Sequence, residues 1–172
     1  GHLGLGGLSM IDMSSDVFPA EDTPDSEKHR LRLWLRLLKI SRAIESELRE
    51  RLRVHFKSTL PRFDVMAALY RQKDGLKMSE LSSALMVSNG NVTGIIERLV
   101  GEELVERTPI PNDRRAMRVR LTEKGRRDFA HMARVHQSWI NELLQDIGPE
   151  EAEQVGTLLD INLTTNRGTR SG

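Results

Sequence analysis

Cysteine is absent from this sequence of 172 residues. Its absence excludes disulfides, thiolate metal sites, cysteine nucleophiles and cysteine redox sensing. Aromatic residues make up only 4% of the chain, so the core must be largely aliphatic. Neither sign of charge is in excess, because 26 Lys and Arg stand against 25 Asp and Glu, for a net charge of +1. Any affinity for nucleic acid must therefore come from how the charge is arranged.

Long hydrophobic runs are also missing. No stretch reaches the length of a transmembrane helix. The N-terminal "GHLGLGGLSMIDM" lacks the basic region and the continuous apolar run of a signal peptide. We interpret the residues before Met10 or Met13 as a vector-encoded lead, and residues 1–26 as a disordered arm. These features, with the lack of cysteine, favour a cytoplasmic protein.

Motifs for enzymatic chemistry are missing as well. His131 and His136 are five residues apart and so do not share a helix face, and no other spacing suits metal ligands. The chain has no glycine-rich phosphate loop and no Ser/His/Asp arrangement with supporting context. The sequence therefore predicts a protein that is not an enzyme and that needs no cofactor or metal.

Long helices are predicted near both ends of the chain. Apolar residues recur every three or four positions from about Glu27 to Phe56, without Gly or Pro. A helix of that length would extend ~45 Å, more than a domain of this size needs for its own core, which indicates a partner. Thr122 and Glu123 begin another long helix, predicted to reach about Ile147, and "GPEE" at 148–151 begins a last one.

The middle of the chain predicts a helix-turn-helix. Pro61 fits the first turn of a helix that ends at "KDG", residues 73–75. Ser79 is the predicted N-cap of a short third helix, and Ser88 the predicted N-cap of a fourth. In the fourth helix Val92, Ile95, Ile96 and Leu99 form an apolar stripe with i, i+3, i+4, i+7 spacing. Two short helices with a brief turn between them are typical of a helix-turn-helix.

A β-hairpin follows directly. "ELVERTPI" and "AMRVRLT" flank the turn "PNDRRA", and Met117, Val119 and Leu121 alternate with arginines in the second run. A hairpin after a helix-turn-helix is a wing. The sequence thus predicts a mainly α fold with a small antiparallel β-wing, that is, a winged helix-turn-helix with a helical dimerisation lobe.

The fourth helix presents a polar face opposite its apolar stripe. Small and hydrogen-bonding residues on this face and its flanks can approach phosphates or read base edges, and the helix N-terminus favours anions. Gly94 costs ~1 kcal/mol inside a helix, which is explained if this face lies close to another surface, or else by tolerance at an exposed position. The predicted DNA contacts on this helix are Ser88, Asn89, Gly90, Asn91, Thr93, Gly94 and Arg98.

The basic hairpin divides into two parts. Arg114 and Arg115 crown the turn, where an extended guanidinium can reach a phosphate or a minor groove, so both are predicted DNA contacts. Asp113 is expected to cap the turn or to hold one of these arginines. Arg118 and Arg120 lie on the strand and are expected to pair across it with Glu103 and Glu106.

These motifs resemble those of the multiple antibiotic resistance regulator (MarR) family of winged helix-turn-helix transcription factors. "MSELSSALMVSNGNVTGIIERLVGEELVERTPIPNDRRAMRVRLTEKG" carries the resemblance, in particular D-x-R at Asp113–Arg115 followed by V-x-L-T-x-x-G at Val119–Gly125. The similar region covers about residues 30–163. The resemblance implies a homodimer built from the first and last helices, palindromic operator DNA, and an effector pocket between the dimer and DNA lobes. "SNGNVTGIIERL" and "TLPRFDVMAAL" are most similar to members that sense aromatic acids or their thioesters.

Candidate ligand-binding residues lie where the first, second and fifth helices are expected to meet. They are Trp34, Arg42, His55, Phe63 and Met66. The alternative for Trp34, Phe63 and Met66 is that they are plain core residues. Arg42 could hold the carboxylate of an effector, or it could pair with Glu45 or Glu47.

The sequence therefore predicts four regions: an arm, 1–26; a helical dimerisation lobe, 27–58 and 122–166; a DNA-binding lobe, 59–121; and a flexible tail, 167–172. The predicted function is that of a ligand-responsive transcriptional regulator, a repressor that a small organic effector releases from DNA. The alternative is a winged-helix module that binds proteins, against which the basic, polar face of the fourth helix argues.

Overall fold

The computed structural model describes residues 22, 24–85 and 91–170, the last five of them by backbone alone. The elements, in chain order, are six helices and three strands over these residues: α1 Asp25–Phe56, α2 Leu60–Arg71, β1 Leu76–Lys77, α3 Met78–Ala84, α4 Val92–Gly101, β2 Val105–Ile110, β3 Asp113–Leu121, α5 Glu123–Leu143 and α6 Pro149–Arg170. This is the predicted mainly α fold with a small antiparallel sheet.

The long helix α1 begins at Asp25, two residues inside the segment that the sequence assigned to the arm; the rest of that arm, residues 1–21 and 23, lies outside the described residues. Lys57 ends the helix in the left-handed conformation, with φ 49°, and its N–H donates to the carbonyl of Arg53. The N–H of Ser58 closes a second capping bond, to Leu52.

Several helix ends differ from their predicted positions. The N-cap of α3 is Lys77, not Ser79, and the Glu80 carboxylate accepts the Lys77 N–H at 3.0 Å. The N-cap of α4 is Asn91, so the start predicted at Ser88 was wrong. Helix α5 ends at Leu143, four residues before the predicted end at Ile147, and a turn over residues 144–147 leads to α6. Helix α6 continues to Arg170, beyond the predicted start of the tail at 167.

A three-stranded antiparallel sheet has the order β1-β3-β2. The pair β2–β3 is the predicted hairpin, with Val105 opposite Leu121 and Arg107 opposite Val119, and its register shifts between Pro109 and Ile110. Strand β1 pairs with β3 on the other side. In β3, Val119 and Leu121 are buried and Arg120 is exposed, which confirms the predicted alternation at these positions; Met117 and Arg118 are both partly buried.

The packing of Cα atoms divides the chain into two units, residues 1–137 and 138–172. In the first unit the sheet packs on α2 and α3, and α4 packs on α2 and β2. Its core is aliphatic, as predicted. The largest fully buried side chains are Leu52, Val65, Met66, Leu69, Leu81, Ile96, Leu99, Val105 and Val119. The second unit holds the end of α5 and α6, with Trp139 and Leu143 buried.

Candidate nucleic-acid interface

Helix α4 has one buried and one exposed side. Ile96 and Leu99 are fully buried, which confirms the predicted apolar stripe at these positions. Thr93, Glu97 and Arg98 are exposed on the other side. Three of the predicted contacts, Ser88, Asn89 and Gly90, lie outside the described residues. The described part of this face is polar, as a surface that reads DNA requires.

Asn91 sets the start of α4. Its side-chain oxygen accepts the N–H of Gly94 at 3.0 Å, which satisfies one of the free donors of the first helical turn. A Cβ on Gly94 would lie 2.7 Å from the Asn91 side-chain nitrogen. Gly94 therefore leaves room for the capping side chain, a reason for the glycine that the sequence analysis did not find.

The end of α4 is joined to the start of α5 through residues 102–104, here called the junction. Glu103 adopts a left-handed conformation, φ 62°, and its carbonyl accepts the Thr122 hydroxyl at 2.7 Å. The Leu104 carbonyl accepts the Thr122 N–H at 3.0 Å, and the Thr122 hydroxyl oxygen in turn accepts the N–H of Gly125. Thr122 thus begins α5, as predicted, and it ties this helix to the residues that follow α4.

The tip of the wing carries two exposed arginines, Arg114 and Arg115. Asn112 turns the chain with φ 70°, and the Asp113 carboxylate accepts the Arg115 N–H at 3.2 Å. This bond confirms that Asp113 caps the turn, as predicted. The tip is therefore a shaped turn that presents both guanidinium groups to solvent.

The arginines on the strand are engaged within the wing. Arg120 pairs with Glu106 across β2–β3 at 2.5 Å, as predicted. Arg118 instead donates to the Gly75 carbonyl at 3.3 Å. Its expected pairing with Glu103 was wrong, because Glu103 lies in the junction and not on β2. These two side chains hold the wing in place, whereas Arg114 and Arg115 at the tip are exposed.

A cavity of about 420 Å³ lies in the first unit, where residues from α1, α2, the junction and α5 meet. Its apolar lining comes from Phe56, Met66, Leu104 and Met132. Its polar lining comes from Arg62, Arg127, Asp128 and His131. The four lining residues of α5 follow an i, i+1, i+4, i+5 pattern, so they lie on one face of this helix. The pattern alone does not show which other elements that face contacts.

Only one residue of the predicted ligand set, Met66, lines this cavity. Phe63 is buried in an aromatic cluster, with ring centroids 5.2 Å from Phe129 and 4.4 Å from His136. This packing agrees with the alternative that Phe63 is a core residue. Burial lowers the pKa of His136, since the charged imidazolium loses solvation in this cluster.

The other three predicted ligand residues, Trp34, Arg42 and His55, are exposed, and none of them lines the cavity. Glu45 and Glu47, the suggested partners of Arg42, pair with Arg49 and Arg51 instead. The predicted set therefore does not form one pocket. The sequence did not identify Arg62, Arg127 and His131 as residues that line the cavity.

Within residues 22, 24–85 and 91–170 no group of His, Asp and Glu side chains is placed to hold a metal ion. Among these same residues, no helix has both the length and the apolar character that crossing a membrane demands.

Helices α3 and α4, followed by a wing with an arginine tip, define the chain as a winged helix-turn-helix protein. The MarR family model matches residues 58–117, which run from the start of α2 into β3. Residues 58–117 therefore form a MarR family domain, and the chain is a DNA-binding transcriptional regulator and not an enzyme.

Individual relatives agree with this assignment. The regulator PecS of Dickeya dadantii is 29% identical over 120 residues, 65% of this chain and 70% of PecS. A MarR family regulator from Silicibacter pomeroyi has a TM-score of 0.70 at 29% identity, covering 83% of this chain and 99% of its own. BpsR of Bordetella bronchiseptica, whose DNA binding is regulated by 6-hydroxynicotinic acid, shares the fold with a TM-score of 0.64 at 23% identity, over 75% and 96% of the two chains.

Proposed function

We propose that the protein is a repressor that binds palindromic operator DNA as a homodimer and leaves it when a small aromatic acid binds. DNA binding is supported by one observation: the polar face of α4 and the arginine tip of the wing belong to the same winged helix-turn-helix. Asn91, Thr93, Gly94, Arg98, Arg114 and Arg115 would contact the duplex. A contact by Ser88, Asn89 or Gly90 rests on the sequence alone.

A homodimer is supported by apolar side chains that each unit leaves in solvent. On α1, Trp34 is 54% exposed and Leu33 is 52% exposed. On α6, Leu158 is 67% exposed, with Val155, Ile161 and Leu163 also exposed. Such surfaces mark interaction sites, and a second copy would cover them. A two-fold dimer would place two α4 helices about one turn of DNA, ~34 Å, apart, which accounts for a palindromic operator.

The effector is proposed to bind in the cavity. Its volume of about 420 Å³ lies within the range of small-molecule sites and suits a single ring. Phe56, Met66, Leu104 and Met132 would contact the ring, and a basic side chain would receive the carboxylate. A thioester would have to leave its coenzyme part outside. A role for Trp34, Arg42 or His55 in binding the ligand rests on the sequence alone.

The DNA-binding part is tested by fluorescence anisotropy on a library of palindromic duplexes, with a salt titration. Because bound phosphates release counterions, affinity should fall steeply with salt. Arg115→Ala should weaken binding about ten-fold per protomer and lower the salt slope of the dimer by about two, as expected for one lost phosphate contact in each protomer. Arg71→Ala, which removes an exposed arginine at the end of α2, is the control. No binding to any duplex at low salt would refute the proposal and favour a protein-binding winged helix.

Dimerisation and repression need their own measurements. Sedimentation velocity should give a dimer for the wild type and for Arg115→Ala, while Leu158→Glu should give monomers. A monomeric wild type would refute the dimer. A reporter gene behind the selected operator should be transcribed less when the protein is present, and more again when the effector is added. Higher transcription on adding the protein alone would make it an activator.

The effector is tested by thermal shift with benzoate, 4-hydroxybenzoate and 6-hydroxynicotinate, with benzamide as the uncharged control. A ligand that binds only the folded state raises its melting temperature in proportion to RT ln(1 + [L]/Kd). The acids should raise it and benzamide should not. Equal shifts by acid and amide would show that no basic side chain receives the carboxylate.

A further inference from the structure

Arg62 lines the cavity and forms an ion pair with the junction. It lies in the first turn of α2, where its N–H donates to the Thr59 hydroxyl at 3.2 Å. Its side chain lines the cavity, and its Nη1 atom lies 2.5 Å from Oε2 of Glu102. The sequence separation of forty residues gave no reason to expect this pair.

Glu102 is the residue that directly ends the recognition helix. It is the C-cap of α4, its N–H donates to Arg98, and its carbonyl accepts the Lys124 ammonium at 3.3 Å. Two residues later, Leu104 lines the cavity and donates its N–H to Leu99 of α4. The junction therefore contacts the recognition helix on one side and the cavity on the other.

The two partners differ in their access to water. The Arg62 side chain is 23% exposed, whereas the Glu102 side chain is 52% exposed. Glu102 can leave the pair and be solvated at little cost, but Arg62 then needs another acceptor, because an unpaired, largely buried charge is costly. A guanidinium has five donors in a planar fork, which match a carboxylate.

We propose that Arg62 is the residue that senses the effector: the carboxylate of an aromatic acid in the cavity replaces Glu102 on Arg62. The released Glu102 no longer ties the end of α4 to α2, so the position of the recognition helix becomes less fixed and DNA binding weakens. This inference rests on the proposed function, since it names the contact through which the effector acts. A ligand that left the pair intact could not shift the junction by this route.

Arg127 and His131 are the competing receptors, since both line the same cavity. Arg127 is exposed and lies beside Asp128, and the His131 ring contacts that of Phe56 with centroids 5.9 Å apart. Among the residues that the structure describes, neither side chain forms a hydrogen bond or ion pair with the junction. A carboxylate bound there would leave Arg62–Glu102 unchanged.

The direct test is a crystal structure of the full chain soaked in 4-bromobenzoate, with the bromine located by anomalous scattering. We expect the bromine among Phe56, Met66 and Met132, the carboxylate within hydrogen-bond distance of Arg62, and Glu102 turned away from it. An empty cavity, or a carboxylate on Arg127 or His131 with the Arg62–Glu102 pair intact, overturns the inference.

Solution measurements use variants of the pair. Glu102→Gln removes the competitor, so 4-bromobenzoate should bind about two- to five-fold more tightly, and unliganded DNA affinity should fall by a similar factor. Arg62→Gln should weaken 4-bromobenzoate binding at least ten-fold, the effect of one lost charged hydrogen bond. Glu50→Gln breaks an exposed pair of equal length, Arg53–Glu50, and should change neither affinity. Circular dichroism checks that all variants are folded.

The outcomes separate this inference from the proposed function. If the wild type binds DNA and benzoate releases it, but Glu102→Gln behaves like Glu50→Gln, the exchange at Arg62 is wrong and the regulator proposal stands. If the crystal shows the exchange but no duplex is bound at low salt, the exchange stands and the regulator proposal fails.

Discussion

Replacing Gly125 with alanine tests how closely the start of α5 packs against the junction. A Cβ at this position would lie 2.0 Å from the carbonyl oxygen of Leu104, 2.9 Å from its carbonyl carbon and 3.2 Å from its Cα. All three are backbone atoms, so no side-chain rotation can relieve the overlap. Either the Leu104 peptide or the first turn of α5 must move.

The expected loss follows from three contributions. Overpacking of this kind costs about 1–3 kcal/mol. Moving the Leu104 carbonyl also weakens its hydrogen bond from the Thr122 N–H, worth about 1 kcal/mol. Alanine is better than glycine within a helix by about 1 kcal/mol, which offsets part of the loss. We expect Gly125→Ala to lower the free energy of unfolding by about 1–3 kcal/mol.

Urea unfolding followed by circular dichroism measures this difference, with the slope checked for a change in the unfolding reaction. Gly101→Ala is the matched control, because a Cβ on this α4 glycine would meet nothing within 4 Å. It should leave stability unchanged or raise it by up to about 1 kcal/mol. If Gly125→Ala is as stable as Gly101→Ala, the close approach of α5 to Leu104 is not a feature of the folded protein.

Substitutions at two further residues, Thr59 and His136, test local features of the fold. Thr59→Ala removes the hydroxyl that caps α2 and should cost about 1 kcal/mol in urea unfolding, while Thr59→Ser should restore most of it. His136 has a pKa below its ordinary value because it is partly buried, so the unfolded chain binds its proton more readily. The contribution of neutral His136 to the free energy of unfolding is fully present above about pH 6.5, the pKa in the unfolded chain. It is lost as the pH falls toward the lower pKa of the folded state. His136→Phe keeps an aromatic ring beside Phe63 and should flatten the fall in unfolding free energy over this window; an unchanged pH dependence would contradict the assignment.

Much of the fold could be predicted because its signals are local. The apolar stripe of α4 and the alternation in β3 each depend on side chains a few residues apart, and both match the observed burial of Ile96, Leu99, Val119 and Leu121. Thr122 could be identified because its capping partners also lie within a few residues.

Helix starts were less certain, because several residues near a boundary can act as a cap. Ser79 and Ser88 are both good N-caps by type, yet the chain uses Lys77 and Asn91. At Asn91 the cap is accompanied by Gly94, whose lack of a Cβ leaves space for the amide. That relation could have been noticed in the sequence, since the two are three residues apart.

The cavity could not be predicted residue by residue. Arg62, Leu104 and His131 come from three separate segments, and no periodicity within one segment shows which of its faces meets another. Trp34 and Arg42 looked suitable because of their chemical type. Because α1 is long, its sequence did not show which of its residues lines the cavity. Of the α1 residues only Phe56, in the last turn, does so.

The capping bond at the start of α4 also limits the hydrogen bonds that Asn91 can form with a base pair. Its side-chain oxygen already accepts the Gly94 N–H, so one of its two lone pairs is used and the orientation of the amide is restricted. The two-bond pairing of asparagine with adenine needs the oxygen as acceptor for the base's amino group. While α4 keeps its cap, the Asn91 amide cannot turn freely to form both bonds with adenine, so its N–H groups should favour acceptors such as N7, O6 of guanine or O4 of thymine.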